Sequence, residues 1–355
     1  MTDASVAPGA SFSPLPNATL RAEAEVQLRA HGFPATAAGV ALWEPLTEGG
    51  SDRDFWRIHA PGGHAWVVMR YSAATRKENA LYAGIAVFLR GAGLRVPALL
   101  FHQPALGLIG LEDLGGTSLY QRFWAPGSDT PALDALYRDA LDQAARLHAL
   151  TTSPVPTMPG FDADLYRWER HYFLENLVGR WAGLSLGDER RRAVEAEGKA
   201  LAAGLARLPR RLVHRDFQSQ NLMVREKKAW LIDFQGMRPG HPAYDLASLL
   251  DDPYTDLGPV RRRALLDRHL ALHDTDGSLA EGYLPAATQR LMQALGAYGY
   301  LGTALGKTAF LAHIPRALAR LDEVLAHLPA MAATRELVAE LRAPLGRASP
   351  APTSR

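Results

Sequence analysis

His214, Arg215 and Asp216 are followed by Asn221 in the order H-R-D-x-x-x-x-N, and Asp233 then closes a short apolar run at residues 229–234. This set of residue types performs phosphoryl transfer. The Asp meets an acceptor hydroxyl, while a side-chain oxygen of the Asn and the second carboxylate hold magnesium. The hydroxyl and the triphosphate have to meet in line, so base and metal ligands must share one rigid turn a few ångströms across. Asp216 is therefore the expected catalytic base, Asn221 and Asp233 the expected metal ligands, and ATP with Mg2+ the expected cofactors of a kinase.

Such a turn needs a strand on either side and a second unit to carry the nucleotide. Residues 212–250 read as strand, loop, strand, loop. Upstream, helical periodicity over residues 20–31 precedes strands at 39–45 and 55–59, and Pro61, Gly62 and Gly63 turn the chain back into a strand at 65–71. A helix over 76–91 and a strand over 106–111 complete a small sheet with one helix across it. From Leu133 onward helical periodicity dominates. The expected division is a nucleotide-binding lobe at 18–112 and a helical lobe for catalysis and substrate binding at 113–344. Residues 1–17 and 345–355, rich in Pro, Ser and Ala, are expected to be disordered tails.

In the first lobe, residues 48–55 lie between two expected strands, and Gly50 and Ser51 are candidates to cover phosphates with backbone N–H groups and a hydroxyl. With only two adjacent glycines, the loop departs from G-x-G-x-x-G. Val67, Val68, Met69 and Arg70 occupy the frame of V-A-I-K, but an arginine stands where lysine is expected. Arg70 has two readings, a bidentate grip on phosphate or a solvent-facing arginine of an edge strand. Glu78 is either the carboxylate that fixes this cation or a solvated acid of a first helical turn. Glu112 and Leu114, where an apolar strand gives way to a Gly-rich exit, are placed by position alone as adenine contacts.

Composition narrows the alternatives. With 355 residues of which 47% are hydrophobic, the chain can bury one large core or two smaller ones. Lys plus Arg total 39 against 37 for Asp plus Glu, with no basic block, so nucleic acid is not an expected partner. The absence of cysteine removes disulfides, thiolate metal sites and thiol nucleophiles. No signal peptide and no apolar run near the roughly 18 residues of a spanning helix is apparent, so a cytoplasmic protein without membrane partners, favoured as a monomer, is expected.

The motifs together make the chain resemble the aminoglycoside phosphotransferase-like kinase superfamily, which includes choline and homoserine-type kinases, over residues 20–345. The resemblance implies an α+β, bilobal protein-kinase-like fold with a small antiparallel sheet and a larger helical lobe. It also implies that Asp245 props the catalytic loop, together with His214. Three segments are similar to bacterial anomeric kinases of N-acetylmuramate and N-acetylglucosamine: residues 233–235, 166–173 and 295–316. That likeness implies a sugar acceptor, phosphorylation at the anomeric hydroxyl and a place in cell-wall amino-sugar recycling. Only twelve residues separate Asp233 from Asp245, too few for the activation segment with A-P-E that binds a peptide in protein kinases.

For the acceptor, a helix over residues 164–178 would align Asp164, Trp168, His171 and Glu175 in one stripe, with Glu169 beside it and Arg167 or Arg170 able to meet an acidic substituent. Glu169, His171, Glu175 and Gln235 are the substrate-binding candidates. A polycationic aminoglycoside would instead want acids around it, and Asp251, Asp252 and Asp256 are available. Two alternatives therefore stand beside the amino-sugar kinase: a kinase of aminoglycosides or another metabolite hydroxyl, and a catalytically silent nucleotide-binding module.

Overall fold

The computed structural model describes residues 18–32, 42–46, 53–59, 65–72, 77–127 and 130–347. The first lobe runs α1 (Ala18–Ala30), β1 (Leu42–Pro45), β2 (Asp54–His59), β3 (Ala65–Arg70), α2 (Tyr82–Gly91), β4 (Leu99–Gln103) and β5 (Leu108–Glu112), with a 3-10 turn, Lys77–Leu81, leading into α2. Its five strands form an antiparallel sheet in the order β1-β2-β3-β5-β4. The alternation of side chains along β3 decides how the sheet is covered. Val68 joins Trp56, Ile58 and Leu108 under Ala24 and Leu28 of α1, whereas Met69 joins Ile109 and Leu111 against Ile85 and Leu89 of α2. A helix thus lies on each face, where the sequence suggests one. Strand β4 is the other addition, and its Phe101 ring lies so close over Gly110 of β5 that a Cβ there would come within 2.2 Å of it.

The second lobe begins with α3 (Leu119–Trp124), opened by a capping box between Ser118 and Gln121, then α4 (Thr130–His148), α5 (Ala163–Phe173) and α6 (Asp188–Arg207). Asp162 caps α5 by accepting from the Leu165 N–H at 2.8 Å. Next come β6 (Arg211–Val213), β7 (Leu222–Arg225), β8 (Lys228–Leu231), β9 (Arg238–Gly240) and α7 (Ala243–Leu250). Strand β6 pairs with β9, and β7 with β8, so the two short ladders clasp the segment between Val213 and Leu222. Helices α8 (Gly258–His273), α9 (Ser278–Gly299), α10 (Ile314–Leu325) and α11 (Ala332–Arg347) follow.

Helix α9 is buried almost all round and packs on α5, α7 and α10. It crosses α5 backbone to backbone. A Cβ at Gly296 would stand 2.9 Å from the Phe173 nitrogen, and one at Gly299 2.5 Å from the Asn176 carbonyl oxygen. The chain runs on into π turns, one at Leu174–Trp181 after α5 that holds Asn176, and one at Tyr300–Ala304 after α9.

Helix α11 continues to Arg347, so the tail expected from residue 345 begins no earlier than 348. The tail at 1–17 lies outside the described residues. No described helix is long and apolar enough to cross a membrane.

Candidate active site

The catalytic loop hangs on Asp245. This fully buried residue of α7 accepts from the backbone N–H of His214 at 2.7 Å and of Arg215 at 2.8 Å, and from His148 Nε2 of α4 at 2.9 Å. The support is needed, because Arg215 has φ 80° and Asp233 φ 62°, a left-handed backbone disfavoured in side chains of this size. His214 is also buried and donates Nε2–H to the Ile232 carbonyl at 2.9 Å, which sets its tautomer.

The remaining bonds close a circuit. Ile232 donates its N–H to the Asn221 carbonyl at 3.0 Å, and Asn221 Nδ2 donates to the Asp216 carbonyl at 2.9 Å. The segments bearing Asp216, Asn221 and Asp233 are therefore tied to one another directly. With its amide nitrogen committed to Asp216, Asn221 offers Oδ1 as its ligand atom. Asp233 Oδ1 accepts Gln235 Nε2 at 2.8 Å and Arg53 Nη2 at 2.5 Å. Burial would raise the Asp233 carboxyl, but Arg53 and Gln235 overcome it and hold the carboxyl below its ordinary range. Among the described residues no three His, Cys, Asp or Glu cluster as a metal cage. Asn221 and Asp233 form the sparse oxygen set that suits magnesium arriving on a polyphosphate, and a guanidinium already sits against Asp233 as a stand-in cation.

Asp216 lies between two arginines, with Arg215 Nη1 at 3.7 Å and Arg290 Nη2 at 3.8 Å. Arg290, buried on α9, is fixed by Ser248 Oγ at 2.8 Å, Gln218 Oε1 at 2.9 Å and Gln293 Oε1 at 2.5 Å. Gln218 and Gln293 are both half-buried.

On the nucleotide side, Gly50 and Ser51 lie outside the described residues. Arg70 stands opposite Asp54 in the β2–β3 register, and its charge opposes the upward push that burial exerts on the Asp54 carboxyl. The charge of Glu78 acts on Arg53 and Arg215. Glu112 ends β5 where the lobes join. Its carboxylate accepts from Arg225 Nη1 at 2.5 Å and the Ala98 N–H at 3.1 Å, so any adenine contact falls to its backbone. Next to it, Arg57 grips Asp113 with two bonds of 2.8 and 3.2 Å, and Leu114 is buried.

Three acceptor candidates are corrected. Glu169 is fully buried, accepting from Tyr244 OH at 2.9 Å and Gln289 Nε2 at 2.8 Å, and burial raises its carboxyl above the ordinary range. It braces α5, α7 and α9 and has no surface to offer a sugar. His171 faces Glu195 at 4.0 Å and Glu175 pairs with Arg180 at 3.7 Å, both largely exposed on the outer face of the helix. The stripe exists, with Trp168 stacked on Tyr172, but it points to solvent. Gln235 stays at the site, orienting Asp233. The acidic trio is also spent on the fold. Asp251 binds Tyr283 and Arg262, Asp252 accepts from Ser219 and Tyr254 N–H groups, and Asp256 pairs with Arg320. Arg53 and Arg290 escape the sequence reading. The available signals are an arginine within the glycine-bearing segment 48–55 and the one cationic residue of α9.

A small antiparallel sheet over a helical lobe, with an Asp-Asn-Asp set between them, defines a protein-kinase-like phosphotransferase. The family model described as the phosphotransferase enzyme family matches residues 42–283, and the chain belongs to that family. It is 27% identical over 309 residues to an N-acetylmuramate/N-acetylglucosamine kinase of Pseudomonas putida, covering 84% of this chain and 88% of the relative. A protein of the same name from Caulobacter vibrioides is 30% identical over 295 residues, 77% of this chain and 76% of its own length. Among solved structures, the ADP-bound aminoglycoside phosphotransferase APH(2'')-Ib is similar with a TM-score of 0.58 at 16% identity, covering 87% of this chain and 99% of that one. Choline kinase LicA of Streptococcus pneumoniae has a TM-score of 0.59 at 14% identity, covering 86% and 99%. The chain is thus a phosphotransferase of the small-molecule kinase type.

Proposed function

We propose that this kinase transfers the γ-phosphoryl group of ATP to the anomeric hydroxyl of N-acetylmuramate or N-acetylglucosamine. The observation that supports the chemistry is the circuit of bonds joining Asp216, Asn221, Ile232 and His214, which ties the segments of the proposed base and the proposed metal ligands together. Likeness to the two named sugar kinases over most of the chain supports the acceptor. Commitment of Asp251, Asp252 and Asp256 to internal partners removes the acids a polycationic acceptor would use.

Asn221 Oδ1 and the Asp233 carboxylate are the groups that would hold magnesium, which when bound supplies charge neutralisation for the phosphates. Asp216 orients the acceptor hydroxyl and takes its proton late. The hydroxyl oxygen bonds to the γ-phosphorus, the bond to the β–γ bridging oxygen breaks, and ADP leaves with that electron pair. Arg215 and Arg290 flank Asp216 at 3.7 and 3.8 Å. Gln218 and Gln293, fastened to Arg290, which stands 3.8 Å from Asp216, are the proposed acceptor contacts in place of the α5 stripe. The lobes meet in the region of residues 112–114, and the protein works in the cytoplasm, where ATP is supplied.

The test is ADP release with N-acetylmuramate, N-acetylglucosamine, glucosamine and kanamycin, followed by phosphorus NMR of the product. Turnover confined to the N-acetyl sugars, with phosphate at C1, is the expected result. Turnover of kanamycin alone would replace the amino-sugar acceptor, and nucleotide binding without turnover of any compound would leave the silent module.

A further inference from the structure

The site lacks the lysine that would ordinarily meet the nucleotide phosphates. Residues 18–112 hold a single lysine, Lys77, and it is exposed at the start of the turn before α2. Arg70, in the frame of that missing lysine, directs its charge at Asp54 on the neighbouring strand. Arg53 is placed differently. It directly precedes β2, its side chain is only 8% exposed, and its guanidinium reaches across the cleft to Asp233 at 2.5 Å.

We propose that Arg53 is the cation that grips the nucleotide phosphates, and that it rests on Asp233 until a magnesium-bearing nucleotide displaces it. The inference rests on the kinase reading of this cleft. A guanidinium withdrawn from water needs an anionic partner, and without nucleotide Asp233 is that partner. A divalent cation arriving at Asp233 would confront Arg53 as a like charge at close range. The triphosphate brings new anionic oxygens to the same place, and the planar guanidinium fork suits phosphate as well as it suits carboxylate. Exchanging partners therefore leaves every charge matched: magnesium with Asp233, phosphate with Arg53.

The test is calorimetric titration of ADP and ATP into the full-length protein at several magnesium concentrations, comparing wild type with Arg53→Met, Arg53→Lys and Arg70→Met. At saturating magnesium, Arg53→Met should weaken nucleotide binding by roughly ten- to a hundredfold, the range of a hydrogen bond between charged groups. Arg53→Lys should recover part of the loss, and Arg70→Met should lose less. The magnesium concentration at half effect should fall in Arg53→Met, because no guanidinium competes for Asp233. A purely structural Arg53 would not move that midpoint. Nucleotide affinity and magnesium midpoint both unchanged in Arg53→Met, or the larger loss in Arg70→Met, would overturn the inference while the kinase reading survives. Wild-type protein that binds neither nucleotide would remove both.

Discussion

The ring of Tyr82 lies against the ring of Phe234, with centroids 4.7 Å apart and planes inclined by 35°. Tyr82 opens α2 in the first lobe, and Phe234 directly follows Asp233, a proposed metal ligand, in the second, so this contact sets one lobe's helix beside the other lobe's proposed metal site. Both rings are buried. Tyr82→Ala should cost about 3 kcal/mol in urea denaturation, as loss of a buried aromatic does, and should lower kcat/KM more for ATP than for the acceptor. Tyr82→Phe keeps the ring and should stay close to wild type. A wild-type denaturation midpoint for the alanine variant would show that the contact holds nothing.

Asp216→Asn should lower turnover by about two orders of magnitude or more while the affinity for ATP changes little, because a carboxamide cannot take the hydroxyl proton and Asp216 makes no expected phosphate contact. Rapid-quench turnover and equilibrium nucleotide binding measure the two halves. Near-normal turnover would remove Asp216 as the base.

For Asp245 the expectation is loss of both stability and activity. Its two oxygens serve three donors, and Asp245→Asn would turn an NH2 group toward one of them in a site closed to water. The cost is on the order of 3 kcal/mol. Arg215, held at φ 80° by one of these bonds, would then relax and carry Asp216 with it. Thermal melting and turnover on the same preparation should both fall. An unchanged melting temperature would mean that the loop has another anchor.

Acid should destabilise the protein through a buried histidine. His241 packs against Gly282, accepts the Ala243 N–H on Nδ1 and is pushed down to about 4, chiefly by burial and then by His148 and Arg211, with Asp276 and Asp274 opposing. Its folded form thus prefers to be neutral, while the unfolded chain binds a proton near 6.5. Stability from this group is complete above pH 6.5 and is lost as pH falls from 6.5 toward 4. His269, pushed down to about 3 by burial and by His148, acts in the same direction. Urea unfolding at pH 7 and pH 4.5 should differ by on the order of 2 kcal/mol from His241 alone, and His241→Gln should flatten that slope. A variant with the wild-type pH dependence would count against it.

The catalytic segment is legible in the sequence because its chemistry is local. Asp216, Asn221 and Asp233 are held by strands that adjoin them, so spacing alone places them together. Glu169 shows where periodicity stops helping. On a helix with one buried face, Asp164, Trp168, His171 and Glu175 make one stripe and Tyr166, Glu169, Arg170 and Phe173 another, and only the packing of α9 decides which turns inward. Strand β4 stands between Pro97 and Pro104, where turn signals compete with a run of only five residues. The role of Arg53 depends on the first lobe folding down over Asp233, a contact across 180 positions that no short pattern encodes.

The crossing of α5 and α9 at Gly296 and Gly299 reaches further than its place in the lobe implies. Backbone meets backbone there with no side chain to cushion the approach, so α9 cannot slide along its axis. Arg290 rides the same rigid rod about 9 Å away, at the usual helical rise. The spacing between that guanidinium and the Asp216 carboxylate is thus gauged by two hydrogen atoms standing where other residues carry a side chain, remote from the cleft.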